Sequence, residues 1–173
     1  MELTELLSKE ECAQFEKELF DRFKINCTIF NTSGIRVTGK PNWCNRLCPE
    51  IKANKDSLAA ICAPGNQNFT ARARNSRKPV IGECDAGLIK IVVPIFSNGS
   101  FLGTAGGCGL LPEGGEVETL MIEKTLGLGD KEIAELCRGI GSMSEEQAQE
   151  MADFIEKRIG RYVSRYSGAS ASS

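Results

Sequence analysis

One stretch of the chain leaves the fold little freedom. From Leu88 to Phe96 the residues alternate, with Ile89, Ile91, Val93 and Ile95 on one side. Ser97-Asn98-Gly99-Ser100 follows, and Phe101 to Leu110 runs back. Asn-Gly reaches positive φ at little cost, so this segment reads as a β-hairpin. The return strand carries Thr104-Ala105-Gly106-Gly107-Cys108-Gly109. Glycine weakens a strand, and such a run permits close approach by a backbone, a helix or a ligand. Lys78 to Glu83 reads as a third strand in this middle region.

Helical and turn signals surround the hairpin. Ser8-Lys9-Glu10-Glu11 is a capping box, and Cys12, Phe15, Leu19, Phe20 and Phe23 follow at helical spacing, which predicts a helix over about 9–24. Asn26–Phe30, Asn31–Gly34 and Ile35–Thr38 read as strand, turn, strand. Lys40 to Pro49 looks irregular. Short helices are expected over about 49–55, 56–63 and 66–76, with Pro64-Gly65 breaking the last two apart. Further helices are expected from Val117 to near Gly127 and after Asp130. Ser144-Glu145-Glu146-Gln147 opens the last one, where Ala148, Met151, Ile155, Ile159 and Tyr162 recur at spacings of three and four. That stripe serves either the domain's own core or a homodimer through 145–163. The stretch 164–173 reads as a flexible tail. The element order predicts a single domain over 1–163 of the α+β class, with about five antiparallel strands and flanking helices in a PAS-like arrangement.

The chain of 173 residues has eight cysteines and no histidine. The second fact excludes Ser-His-Asp and Cys-His catalysis and histidine as metal ligand or pH switch. A net charge of -2 gives no general pull toward nucleic acid. Arg72, Arg74, Arg77 and Lys78 form a local basic cluster that reads best as a solvated helix face. No apolar run approaches the roughly 18 residues of a membrane span, and the charged N-terminus carries no signal-peptide core, so a cytoplasmic address is expected. In a reducing compartment cysteines are buried, metal-binding or redox-active, not structural disulfides.

Cys12 and Cys27 fall on apolar faces. Cys44, Cys48, Cys62 and Cys84 lie in or beside loops, and Cys108 lies on the glycine-rich strand, with 3, 13, 21 and 23 residues between successive members. Four converging thiolates satisfy either zinc or a cubane iron–sulfur cluster. The spacing matches no standard ferredoxin or zinc ribbon. Trp43, the only tryptophan, is either core or the wall of a pocket. Glu83 and Asp85 flank Cys84. There is no phosphate-binding loop, and the glycine run does not open a helix after a strand.

Several of these pieces together are similar to a known family. Cys62, then Lys78-Pro79-Val80-Ile81-Gly82-Glu83-Cys84-Asp85-Ala86-Gly87-Leu88-Ile89, Val93-Pro94-Ile95, Leu102-Gly103-Thr104 and Gly106-Gly107 resemble the PocR sensory domain, over roughly residues 5–163. The resemblance implies a PAS-like fold and a sensory role, within transcription regulators and histidine kinases, with small hydrocarbon derivatives such as propanediols as ligands. The family's recurring cysteines map to Cys44 or Cys48, to Cys62 and to Cys84. Two positions depart from its pattern: Asp85 stands where histidine is common, and Cys108 where glutamine is common. The second change adds a thiol and removes a neutral group that could serve a diol.

The expectation is therefore a cytoplasmic sensor domain, not an enzyme. It holds a cysteine-ligated centre, a 4Fe-4S cluster ahead of zinc, on Cys44, Cys48, Cys62 and Cys84, with Cys108 on the face of Leu102 and Thr104 as substitute or fifth neighbour. It senses redox state or a small molecule and signals to a downstream kinase or transcription-regulator output domain, without membrane or direct nucleic-acid contact. One alternative is a metal-free or zinc-stabilised pocket for a short alcohol or diol, contacted by Trp43, Glu83, Asp85 and Thr104. Another is a thiol redox protein using Cys44 and Cys48.

Overall fold

A computed structural model describes residues 1–39 and 41–171. A four-stranded antiparallel sheet stands between two helical layers. Its strands are β1 (Asn26–Asn31), β2 (Val80–Glu83), β3 (Ile89–Ser97) and β4 (Ser100–Cys108), in the order β1-β4-β3-β2. The hairpin turns at Asn98 and Gly99, with φ of 48° and 80°.

Ile89, Ile91, Val93 and Ile95 all face one core, as their alternation predicts. Cys12, Phe15 and Leu19 of α2 (Lys9–Phe23) meet them, with Ala148, Met151, Ala152, Ile155 and Ile159 of α8 (Glu145–Ala171). The short α1 (Leu3–Leu6) closes one end. Both predicted capping residues act: Ser8 and Ser144 each exchange hydrogen bonds with the residue three positions on. The stripe of α8 is spent on the domain's own sheet and on α2, so the apolar face that sequence spacing also offered to a dimer partner is already covered. The helix runs beyond that stripe into the serine-rich end expected to be a flexible tail; Ser172 and Ser173 lie outside the described residues. Once a helix is nucleated, each added residue gains a backbone bond.

The second layer comprises α3 (Leu47–Ala53), α4 (Lys55–Ser57), a π-helical turn (Leu58–Cys62), α5 (Ala63–Ser76), α6 (Thr119–Leu126) and α7 (Asp130–Cys137). Leu47, Ile51, Ile61, Leu88, Ile122 and Ile133 form its core. Two short strands, β5 (Leu111–Pro112) and β6 (Ser142–Met143), pair in parallel and tie its end to α8. The expected break at Pro64-Gly65 is absent. Helical backbone continues from Lys55 to Ser76, because the wider turn just before Pro64 gives the ring room that an α-helical carbonyl four residues back would deny.

The expected fifth strand is also absent. Ile35–Thr38 makes one bridge, Phe30 to Arg36, and goes no further. The Arg36 guanidinium turns in and takes the Cys27 carbonyl at 3.1 Å, which a pairing strand would have used. It also meets the buried Glu16 carboxylate at 2.7 Å. Glu16 accepts from Thr38 Oγ1 at 2.7 Å and the Ile29 N–H at 2.8 Å, so a side-chain network replaces ladder bonds along this edge of β1. The basic cluster on α5 is exposed: Arg74 lies over Phe101 and Arg77 over Phe96, at the hairpin tip.

Candidate functional site

The face of the sheet turned away from α2 and α8 presents three cross-strand rows: Lys90–Cys108–Asn26, Val92–Gly106–Thr28 and Pro94–Thr104–Phe30. Leu102 leaves this face. It is the extra residue of a bulge, since Ile95 pairs with Gly103 and Phe96 with Phe101. The bulge puts Leu102 in the other core, whereas simple alternation would keep it with Thr104 and Cys108. Between these rows and α3, the π turn and α5 lies a cavity. Its free volume for water-sized occupants is about 50 Å³. One buried water needs roughly 10–15 Å³ on that measure, so the space suits one small molecule or a few waters.

Five of the eight cysteines gather here. Cys48, Cys62, Cys84 and Cys108 line the cavity. Cys44 stands beside it, with its sulfur 3.9 Å from the Cys108 carbonyl. Each is held by a distinct local device. Asn45 accepts from the Cys48 N–H at 2.7 Å and starts α3. Its amide nitrogen donates to the Gly109 carbonyl at 2.6 Å and reaches the sulfurs of Cys48 and Cys44 at 3.3 and 3.7 Å. Asn26 accepts from the Cys44 N–H, while its own amide nitrogen is buried without a partner. Cys62 ends the π turn, a distortion common at functional sites. Cys84 opens the turn that returns at Leu88. Its N–H donates to the Leu88 carbonyl at 2.8 Å and its carbonyl accepts from Gly87, whose φ is +74°.

The glycine run permits the close approach its composition predicts. Gly109 has φ of +113°, and a Cβ there would fall 2.5 Å from Asn26 Nδ2 and 2.9 Å from Cys44 Sγ. On the opposite side, a Cβ on Gly107 would lie 3.0 Å from Met151 of α8. The sheet is thus thin between the cavity and the last helix.

Burial governs the thiols. It pushes Cys62 up to about 11 and raises Cys44, Cys48 and Cys84 as well. Cys108 adds an electrostatic push to each of these four, which marks it as their common neighbour. Asn45 opposes the rise at Cys48, and Lys52 opposes it at Cys62. Among the described residues no three Cys, Asp or Glu side chains stand close enough to grip a single metal ion. All eight cysteines are free thiols.

Trp43 and Thr104 line the cavity, and the Lys52 ammonium lies 5.6 Å from the indole centroid. Glu83 and Asp85 do not join them. Both are exposed, because the end of β2 and its turn point their side chains outward while Cys84 between them faces in. Sequence reasoning missed Lys90, Asn66 and Asn26. Lys90 lines the cavity at only 7% exposure and donates to Asn66 Oδ1. Its signal was present: a lone charge between Ile89 and Ile91, on the strand face opposite the apolar stripe. Thirteen residues before Ile29, Glu16 sat unremarked among the apolar residues of the first helix.

Among the described residues no helix is long and apolar enough to cross a membrane. Comparison with curated proteins and with solved structures returns no match. The family model described as "Sensory domain found in PocR" matches residues 5–166. With that match over nearly its whole length, the hairpin, the Cys84–Leu88 turn and the cavity they build, the chain belongs to the PocR sensory-domain family.

Proposed function

We propose that this sensory domain reads its signal in the thiol-lined cavity through a soft-metal centre, an iron–sulfur cluster held by Cys44, Cys48, Cys62 and Cys84, with Cys108 as their shared neighbour. The observation that carries the reading is the convergence of five thiols from four separate segments on one cavity, while Cys12 and Cys27 stay in the opposite core. Thiolates require stabilisation away from water, and two amides stand ready to supply it: Asn45 against Cys44 and Cys48, and the unpartnered Asn26 donor beside Cys44. When bound, such a cluster supplies one-electron redox change or a site for an exogenous ligand.

The same layout suggests how a change would leave the cavity. Cys108 is followed inward along β4 by Gly107, whose missing side chain leaves room for Met151 of α8. A shift of β4 would move α8, and α8 would pass it to a kinase or transcription-regulator output domain. The role is that of a non-enzymatic cytoplasmic sensor. A second reading, a metal-free pocket for a small organic molecule, is favoured by one feature: polar groups of Thr104, Asn66 and Lys90 sit beside an apolar lining that includes Trp43.

Protein purified without oxygen tests the first reading. The expected result is a brown sample with a broad near-visible absorption band and matching iron and acid-labile sulfide. A colourless sample without iron, which reconstitution leaves colourless, overturns it.

A further inference from the structure

Among the described residues three charged ones line the cavity: Arg36, Lys52 and Lys90. All are basic, and among the described residues no aspartate or glutamate lines it. Arg36 is engaged by Glu16 at 2.7 Å. Lys52 is half-buried over Trp43. Lys90 is different. It is the most deeply buried of the three, projects from β3 on the cavity face, and forms no ion pair among the described residues. Its neighbours are the neutral Asn66 carbonyl oxygen at 2.5 Å, the Phe69 ring at 5.9 Å and the Cys62 and Cys84 thiols, whose rise its charge opposes. A buried ammonium with only neutral partners is costly, and an anion beside it removes that cost. A donor on the same cross-strand row has no acceptor: Asn26 Nδ2. The ammonium lacks a counter-charge and the amide lacks an acceptor, and one anion supplies both.

We propose that the molecule sensed in this cavity is a small organic anion, a short-chain monocarboxylate, with Lys90 as its counter-charge. A neutral alcohol or diol would leave the ammonium uncompensated. A dianionic phosphate would bring one charge too many and few donors to receive it. The room is small, and Ile51, Ile61, Leu88 and Val92 offer an apolar wall to a short alkyl tail. The inference rests on the reading of the cavity as the sensory input and concerns the cavity free of a cluster, since about 50 Å³ does not hold both and thiolates on a cluster would themselves bring negative charge beside Lys90.

The test uses the whole chain, as isolated and after metal removal. Propionate is titrated against propionamide and propan-1-ol at matched ionic strength, following the melting temperature and the emission of Trp43. Propionate is expected to raise the melting temperature and change the emission saturably, while the neutral pair does neither. Lys90→Met keeps the length of the side chain without its charge and is expected to weaken propionate binding by about 10-fold or more. Equal binding of propionamide, unchanged affinity in Lys90→Met, or no response to propionate in either preparation overturns the proposal. The comparison of acid with amide needs no variant, so a poorly folded Lys90→Met leaves it decisive. Iron and sulfide measured on the same samples separate the two readings. An iron-free protein that binds propionate removes the cluster and keeps the anion site. A brown protein that stays indifferent to propionate after metal removal does the reverse.

Discussion

On one face of the sheet Cys27, Ile29, Ile91 and Val93 meet α2 and α8, and none is more than 1% exposed. On the other face Thr28, Val92, Thr104 and Cys108 meet α3 and α5 across a cavity. The same strands build both, so the difference lies in what each face was given. The packed face received branched apolar residues opposed by an unbroken helical stripe. The hollow face received glycine, threonine and thiols, which fill less space, and a lysine whose charge is left to be met by something else. Cysteine takes opposite roles on the two faces: Cys12 and Cys27 act as small apolar fillers, whereas Cys48, Cys62, Cys84 and Cys108 line open space with Cys44 beside it.

The largest effect is expected from breaking the packed face. Ile155→Ala removes a fully buried side chain of α8 and should cost about 2–5 kcal/mol in urea unfolding. Truncating Cys62 to alanine on the hollow face of the metal-free protein should cost far less, because the space beside it is already open. A comparable loss for both would erase the contrast. Gly109→Ala should come next. The added methyl meets Asn26, Cys44 and Asn45 in a left-handed conformation, and overpacking of this kind costs about 1–3 kcal/mol. Its specific mark is faster alkylation of Cys44 and Cys48 by iodoacetamide, with Cys12 and Cys27 still protected.

The packed thiols also give a pH signature. Burial raises Cys12 to about 12 and raises Cys27 as well, from an ordinary value of 9.0. In the unfolded chain these thiols ionise from pH 9 upward while the folded state keeps them protonated. The unfolded state therefore binds fewer protons, and stability present below pH 9 is lost as pH rises toward 12. The slope is on the order of 1 kcal/mol per pH unit for each thiol. The double substitution Cys12→Ala and Cys27→Ala should remove these two thiols' share of it in denaturant titrations at pH 9–11, leaving the share of the buried cavity thiols, and an unchanged slope would show that Cys12 and Cys27 contribute nothing. The smallest effect is at the surface. Ser8→Ala loses the capping box of α2 and should cost about 1 kcal/mol by thermal unfolding, leaving the hollow face untouched.

The packed face was the legible one. Alternation along β3 and the stripes of α2 and α8 name its core almost residue by residue, because periodicity reports which side is buried. The hollow face was legible only in part. Loop position and the family pattern brought out its cysteines, and the glycine run announced close approach. Lys90, Asn66 and Asn26 escaped because each looks like an ordinary polar residue until tertiary packing buries it. Arg36 defeated the fifth strand in the same way, since its bonds to Glu16 and the Cys27 carbonyl join segments far apart in the chain. Pro64 misled because the local rule for a helix breaker takes no account of a π turn placed just before it.

If the proposed cluster exists, the hollow face alone should hold it. Iron and acid-labile sulfide per chain, measured on oxygen-free preparations, should be compared between two sets of variants. Cys48→Ser, Cys62→Ser and Cys84→Ser should each abolish or sharply reduce both, while Cys12→Ala and Cys27→Ala should leave both at the wild-type level. Iron that survives every cavity-face substitution, or a wild-type chain that never holds iron, would contradict it.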